Sequence, residues 1–310
     1  MNSEVSSLEI LRSISDATVD VVSRASPSVV SVHSGMGGGT GVLWSADGYI
    51  VTASHVVHKS RNTKVGLGDG NMVDAKVVGR DPYSDIALLK IEGESFKAIE
   101  TGDSERINVG EFVLALANPF NRKPAATSGI VTNTRTTLRG MRGMNMENVI
   151  ITDARLNPGY SGGPLIDASG RMIGMNTAYA WSRGIAIPIS TVKAIVERLM
   201  KGGEVKRAYL GIFMNTIPIP EEVAEETKLD QETAVMVLKV EHDSPAKKAG
   251  IAFGDIIVRF NDKPIRDVSE LPNLLSEEVV GKKTKIAVLR GEKIVEFTIT
   301  PSSAKTEDSD

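Results

Sequence analysis

Three separate stretches of the chain carry side chains able to perform nucleophilic hydrolysis. The first is Asn157-Pro158-Gly159-Tyr160-Ser161-Gly162-Gly163-Pro164-Leu165, a serine among glycines and prolines that suits neither a helix nor a strand interior. Glycine lets the backbone adopt positive φ and approach a reacting atom. Such a loop can aim consecutive N–H groups at one point, which is how an oxyanion is held. The second stretch, Thr52-Ala53-Ser54-His55-Val56-Val57, sets a histidine at the end of an apolar run. The third, Asp81-Pro82-Tyr83-Ser84-Asp85, places two carboxylates before the strand-like Ile86-Ala87-Leu88-Leu89. A serine hydroxyl needs a base within hydrogen-bond reach, and the base needs a carboxylate to fix its tautomer. Most serines in glycine-rich loops, and most lone histidines, are structural. Here the three residue types occur together.

The other histidines are His33, His58 and His242. None has a motif around it, and His58 reads as a surface residue. Asp81 and Asp85 both compete for the carboxylate role, although Asp81, next to Pro82, has the features of a turn former.

The elements that must position these groups follow from periodicity. Apolar residues from Leu8 to Val22 recur every three to four positions and predict an amphipathic helix over about 7–24. From Pro27 to Ile187 the chain changes to short β-prone runs: 28–32, 41–44, 49–52, 74–78, 86–89, 112–116, 129–131, 149–151, 172–175 and 185–187. Many short strands at this spacing predict an all-β sandwich or barrel. Residues 190–200 predict a helix with Ser190 as cap and Val192, Ile195, Val196 and Leu199 as its apolar stripe. Lys201-Gly202-Gly203-Glu204 ends that helix and opens a linker.

Composition narrows the function classes. The 310 residues allow one large or two medium domains, and a net charge of -3 with 36 scattered Lys and Arg gives no nucleic-acid footprint. With no cysteine, disulfides, thiolate metal sites and a cysteine nucleophile are excluded. No apolar run is long enough to span a bilayer, and the first eight residues lack a signal-peptide pattern. The expected compartment is therefore the cytoplasm, with an extracytoplasmic one following if a leader or anchor was removed. No metal and no cofactor are expected.

In the order His55, Asp85, Ser161, with the Asp85-Ile86-Ala87-Leu88-Leu89 context favouring Asp85 over Asp81, the chain resembles the HtrA (DegP-like) serine proteases. Tyr209-Leu210-Gly211-Ile212 resembles the carboxylate-binding loop of that family's PDZ domain, and 244–257 resembles its Ser-Pro-Ala…Ala-Gly…Gly-Asp stretch. The resemblance implies a mainly β fold: two six-stranded barrels of the chymotrypsin type plus a C-terminal α+β PDZ domain. It divides the chain into an N-terminal oligomerisation segment 1–24, a protease domain 25–203, a PDZ domain 206–302 and a disordered tail 303–310. It assigns the triad His55, Asp85 and Ser161, with the oxyanion hole on the Gly159 and Ser161 N–H groups. It gives a substrate pocket of Leu156, Gly184, Ile185, Ala186 and Ile187, with 184–188 also pairing with substrate as an added strand. Leu271, Leu274 and Leu275 would wall the PDZ groove, with Pro272 in the first turn of a helix capped by Ser269. Regulatory loops are expected at 118–126, 135–147 and 179–183, and a homotrimer or multiple of trimers as the assembly.

The sequence departs from the family at two places. Tyr160 stands where Asn is usual and sets a bulky ring beside the nucleophile. Arg155 replaces a small residue and is expected to point into solvent. The implied activity is ATP-independent endoproteolysis of unfolded or damaged polypeptides, with peptide C-termini at the PDZ groove; no P-loop is present. The alternative is a PDZ-containing chaperone or binding protein with weak or latent proteolysis. Gly159-x-Ser161-x-Gly163 also fits the esterase nucleophile pattern, but the order His, Asp, Ser and the β-rich surroundings exclude that fold.

Overall fold

The computed structural model describes residues 7–35, 37–57, 62–122, 124–139, 145–180, 183–202, 208–268, 270–275 and 277–303. The chain forms two compact units, one of 1–140 with 146–205 and one of 206–310 with 141–145.

The first unit opens with helix α1 (Ser7–Ala25), as its periodicity predicts. Only Val21 and Ala25 of it are buried, whereas Leu8, Leu11 and Ile14 stay exposed at 72%, 64% and 55%. Strands β1 (Val29–Ser34), β2 (Gly37–Leu43), β3 (Tyr49–Ala53), β4 (Thr63–Gly66), β5 (Met72–Asp81) and β6 (Ile86–Lys90) then close into a barrel in the order β1-β2-β3-β6-β5-β4. Strands β7 (Phe112–Ala117), β8 (Ala125–Arg139), β9 (Asn145–Thr152), β10 (Pro164–Asp167), β11 (Met172–Ala180) and β12 (Arg183–Pro188) close into a second, ordered β10-β11-β12-β9-β8-β7. The two-barrel expectation holds.

Two strands were not expected. β4 has one apolar residue in its alternating pattern, and β10 begins on a proline at the end of the glycine-rich loop. Conversely, the long strands β8 and β9 reach into the segment 135–147 expected to be a loop, and its centre, with Gly140, Met141, Gly143 and Met144, lies outside the described residues.

Helix α2 (Ile189–Gly202) buries Val192, Ile195, Val196 and Leu199, the predicted stripe. Ser190 lies inside its first turn rather than capping it. Its N–H is met instead by the Ser104 hydroxyl at 3.2 Å, and its own hydroxyl donates to Glu105 at 2.9 Å.

The second unit comprises β13 (Ala208–Tyr209), β14 (Ile212–Pro218), α3 (Glu221–Thr227), β15 (Thr233–Val240), α4 (Pro245–Ala249), β16 (Ile256–Phe260), β17 (Lys263–Pro264), α5 (Glu270–Leu274), β18 (Thr284–Arg290), β19 (Lys293–Ile299) and β20 (Ser302–Ser303). Its main sheet runs β14-β15-β16-β18-β19, with β17 beside β16. Ser303, expected in the tail, pairs with Ala208 in the β13–β20 ladder.

The Ser-Pro-Ala…Ala-Gly motif acts as a helix start and stop signal. The Ser244 hydroxyl accepts from the Lys247 N–H at 3.1 Å, Pro245 takes the first turn, and Gly250 ends α4 at φ +92°. That left-handed conformation is strained for any residue with a Cβ. The Asp of the following Gly-Asp pair, Asp255, is 2% exposed and receives both arms of Arg290 at 2.7 and 2.8 Å. A bidentate pair of this kind satisfies a buried carboxylate that would otherwise be costly. Pro272 is the third residue of α5, so it displaces no intrahelical bond; its expected cap, Ser269, lies outside the described residues.

Candidate active site

Barrel register brings His55 and Asp85 together. β3 pairs with β6 so that Ala53 faces Ile86, and the next residues outward are the 54–56 turn on one strand and Asp85 on the other. The Ser54 N–H donates to the Asp85 carbonyl at 3.0 Å, and the His55 N–H to Asp85 Oδ1 at 3.0 Å. His55 Nδ1 lies 2.8 Å from Oδ2 and 2.9 Å from Oδ1. An ionised carboxylate only accepts, so Nδ1 carries the proton and Nε2 keeps its lone pair for use as a base. That hydrogen bond, reinforced by the carboxylate's charge and opposed by burial, raises the His55 pKa above its ordinary 6.5. Asp85 adopts φ +54°, a strained conformation for a residue with a side chain. The bonds converging on its carboxylate over-determine that geometry.

Asp81, the competing carboxylate, is fully buried and binds the Tyr83 N–H at 3.1 Å and the Ser84 hydroxyl at 2.8 Å. It holds the turn. His33 hydrogen-bonds Ser31 on β1, and His242 lies exposed beside Asp243 in the second unit. His58 lies outside the described residues.

Ser161 belongs to the loop between β9 and β10, on the second barrel. Its hydroxyl donates to the Thr177 carbonyl at 3.0 Å, and no hydrogen bond joins it to His55 among the described residues. Thr177, on β11, also donates its own hydroxyl to Asp85 Oδ2. Nothing local to Asn176-Thr177 marks this residue in the sequence.

The loop's peptide groups can be accounted for one by one. The Gly159 carbonyl accepts from Thr40 Oγ1 at 2.7 Å and the Tyr160 N–H donates to Asn157 at 3.1 Å. The Ser161 carbonyl accepts from the Thr40 N–H at 2.9 Å and the Gly162 N–H donates to Asn176 at 2.7 Å. The Tyr160 carbonyl accepts from the Gly163 N–H at 3.0 Å. The N–H groups of Gly159 and Ser161 are left without a protein partner among the described residues, and these are the two expected donors. Gly162, at φ +84°, faces the Thr40 carbonyl and Thr52 hydroxyl so closely that a Cβ has no room.

Three expectations need correction. The Tyr160 ring does not lie beside the nucleophile: it is 4% exposed and packs in the second barrel's core with Val113, Val131, Leu156 and Leu165. Gly184, Ile185, Ala186 and Ile187 do not line one pocket together, because successive strand residues face opposite ways. Ala186 shares the Leu156 core and Gly184 abuts the Leu156 side chain, but Ile187 packs in a different core with Val192 and Ile195 of α2. Of 184–188, expected to take substrate as an added strand, 184–186 have both sides occupied. β12 is paired with β11 on one side and, at Gly184, Ile185 and Ala186, with β9 on the other. The neighbouring β11 is different: its residues 178–180 pair only with β12 among the described residues. Arg155 is exposed, as expected.

In the second unit, the Leu210 carbonyl accepts from Ala246 at 2.9 Å and the Gly211 carbonyl from Glu241 at 2.8 Å, while the Tyr209 hydroxyl donates to the Glu241 carboxylate. Both carbonyls are thus tied to the protein. β14, which begins at Ile212, is an edge strand. Ile212, Met214, Leu271, Leu274 and Leu275 gather in one apolar cluster.

Comparison with known proteins agrees with this architecture. The family model described as "Trypsin-like peptidase domain" matches residues 39–175, and that described as "PDZ domain" matches residues 220–300. The chain is 40% identical over 269 residues to "Periplasmic serine endoprotease DegP" of Escherichia coli (strain K12), covering 84% of this chain and 56% of that one. It is 35% identical over 279 residues to "Probable periplasmic serine endoprotease DegP-like" of Chlamydia trachomatis, covering 87% and 55%. The chain spans about half the length of these curated relatives. A solved structure, "HtrA-type protease AlgW with tripeptide", matches with TM-score 0.76 and 33% identity over 94% of this chain and 98% of that one. Fold and site define a two-barrel peptidase joined to one PDZ domain. The chain belongs to the HtrA-type serine proteases.

Proposed function

We propose that the chain is an ATP-independent serine endopeptidase that cuts unfolded or damaged polypeptides in protein quality control, with His55, Asp85 and Ser161 as its triad. The observation that carries the reading is the His55–Asp85 pair on one barrel, while the other supplies Ser161; among the described residues Nε2 and the Gly159 and Ser161 N–H groups have no partner. His55 takes the Ser161 proton as the hydroxyl attacks the scissile carbonyl, and later gives it to the leaving amine. The Gly159 and Ser161 N–H groups receive the oxyanion. The chain's own edge for an extended substrate is 178–180 of β11, and Leu156 beside Gly184 suits small or medium aliphatic side chains before the cut. Casein cleavage by the full chain beside Ser161→Ala tests the reading. Equal cleavage by both would overturn it.

One observation favours the second reading, a chaperone or binding protein with latent proteolysis: the Ser161 hydroxyl is bound to Thr177 rather than to His55. Rotation about one bond frees it, and the two readings differ in whether substrate brings this about.

The domain limits proposed are 25–203 for the protease and 206–302 for the PDZ domain, whose groove beside β14 takes peptide C-termini, with the Leu210 and Gly211 N–H groups on the carboxylate. A homotrimer or multiple of trimers is proposed, supported by the uncovered apolar residues of α1 and by Val109, Phe112 and Ile130, exposed at 63%, 41% and 40%. Light scattering that gives a fully active monomer at micromolar concentration would refute it. The relatives named periplasmic lend no support to a cytoplasmic location, and we propose an extracytoplasmic one. Among the described residues no helix is long and apolar enough to cross a membrane.

A further inference from the structure

Thr40 lies on β2 of the first barrel and is fully buried. Every polar atom it owns is engaged. Its N–H donates to the Ser161 carbonyl at 2.9 Å, and its hydroxyl donates to the Gly159 carbonyl at 2.7 Å. The same hydroxyl oxygen accepts from the Asn118 N–H at 2.9 Å, and its carbonyl accepts from the Thr52 hydroxyl at 2.7 Å. One residue of the first barrel thus grips two alternate carbonyls of the nucleophile loop, and through Asn118 the segment that leads out of β7.

The consequence follows from peptide planarity. A carbonyl fixed toward Thr40 turns the next N–H the opposite way. With the Gly159 and Ser161 carbonyls held, the N–H groups of Tyr160 and Gly162 are committed to Asn157 and Asn176. The loop is then pinned on both sides of the peptide whose N–H belongs to Ser161, and just after the one whose N–H belongs to Gly159. Of the four N–H groups from Gly159 to Gly162, these two have no protein partner among the described residues and stay available to a reacting oxygen. The Thr40 backbone alone would hold one carbonyl. The hydroxyl adds the second and ties it to Asn118.

We infer that the Thr40 hydroxyl is a positioning residue for the oxyanion hole: it sets the aim of the Gly159 and Ser161 N–H groups without touching substrate itself. This role rests on the serine-peptidase reading above. It acts on the transition state, where the oxyanion forms, and not on substrate binding, so the loss should fall on kcat.

The test uses the full chain as wild type, Thr40→Val and Thr40→Ser, with a chromogenic peptide reporter and a fluorophosphonate label on Ser161. Thr40→Val keeps bulk and backbone but removes the hydroxyl, and is expected to lower kcat roughly 10- to 100-fold, the scale of an ångström's misplacement. KM should stay within about twofold of wild type. Thr40→Ser restores the hydroxyl while losing the methyl that faces Gly163, and is expected to recover kcat to within about threefold. Thr40→Cys, of similar bulk and with a weak donor, should be slow as well, and replaces the valine variant if that one does not fold. A wild-type rate in Thr40→Val, or a Thr40→Ser as slow as Thr40→Val, overturns the role; the second result would assign the effect to methyl packing. A wild type that neither turns over the reporter nor labels at Ser161 removes the peptidase reading, and the role falls with it.

Discussion

The Ser161 hydroxyl is bound to the Thr177 carbonyl at 3.0 Å, while the Thr177 side chain holds Asp85. One β11 residue therefore contacts both the nucleophile and the carboxylate that orients its base. Thr177→Val removes the donor to Asp85 and leaves that carboxylate a better partner for His55. The His55 pKa should then rise further, moving the acid limb of the kcat/KM profile to higher pH than in wild type. An unmoved or lower limb would show that Thr177 does not act on the pair.

Ser161→Ala should lose nearly all cleavage, since deletions in analogous triads cost about 10⁴ to 10⁶ in turnover. Asp85→Asn should lose roughly 10⁴, because an amide offers Nδ1 the wrong tautomer. Steady-state rates on one reporter peptide check both. An Asp85→Asn variant at half the wild-type rate would return the role to some other carboxylate.

The raised His55 pKa gives activity and stability opposite pH dependences. As a base the ring must be neutral, so kcat/KM should fall as pH drops through a value above 6.5. The folded protein favours the charged ring beside Asp85. That contribution to stability is full below 6.5 and is lost as pH rises through the raised value. A rate profile with its acid limb well below 6.5 would contradict the geometry.

Arg290→Met should destabilise the second unit by about 2 to 4 kcal/mol, because it strands the buried Asp255 carboxylate. The figure is below that for a wholly buried pair, since the Arg290 side chain is 44% exposed. Urea unfolding of the full chain, followed by hydrogen exchange in β16 and β18, reads the loss. An unchanged midpoint would mean that Asp255 finds other partners.

Apolar C-terminal peptides that dock beside β14 should raise hydrolysis of a short reporter roughly 5- to 150-fold, the usual range of coupling between two sites. Binding without any change in reporter turnover would leave the PDZ domain as a tether.

Much of the fold was legible because it rests on local pattern. The α2 stripe, the apolar runs of β3, β6 and β7, and the Ser244 to Gly250 helix signals each lie within a few residues. His55, Asp85 and the glycine-rich loop could be picked out for the same reason. Thr177 and Thr40 could not. Thr40 acts on Gly159 across 119 positions and Thr177 on Asp85 across 92, and neither has a neighbouring residue that marks it. That β12 already pairs with β9 and β11 was not legible, because a run such as Gly184-Ile185-Ala186-Ile187 shows that a strand is apolar, not which neighbours occupy its sides. Tyr160 was misjudged similarly: its position beside Ser161 was evident, the inward turn of its ring was not.

Both barrels of the first unit close on themselves, so nearly all of its strands have two paired sides. A strand with a bare side is a template on which other extended chains, including partly unfolded ones, can stack without limit. The proposed substrates, unfolded polypeptides, are such chains. Among the described residues, 178–180 of β11 is paired on one side only, and it directly follows Thr177, whose carbonyl holds the Ser161 hydroxyl. On the proposed peptidase reading, a chain that adds to this stretch arrives beside the nucleophile instead of seeding an aggregate.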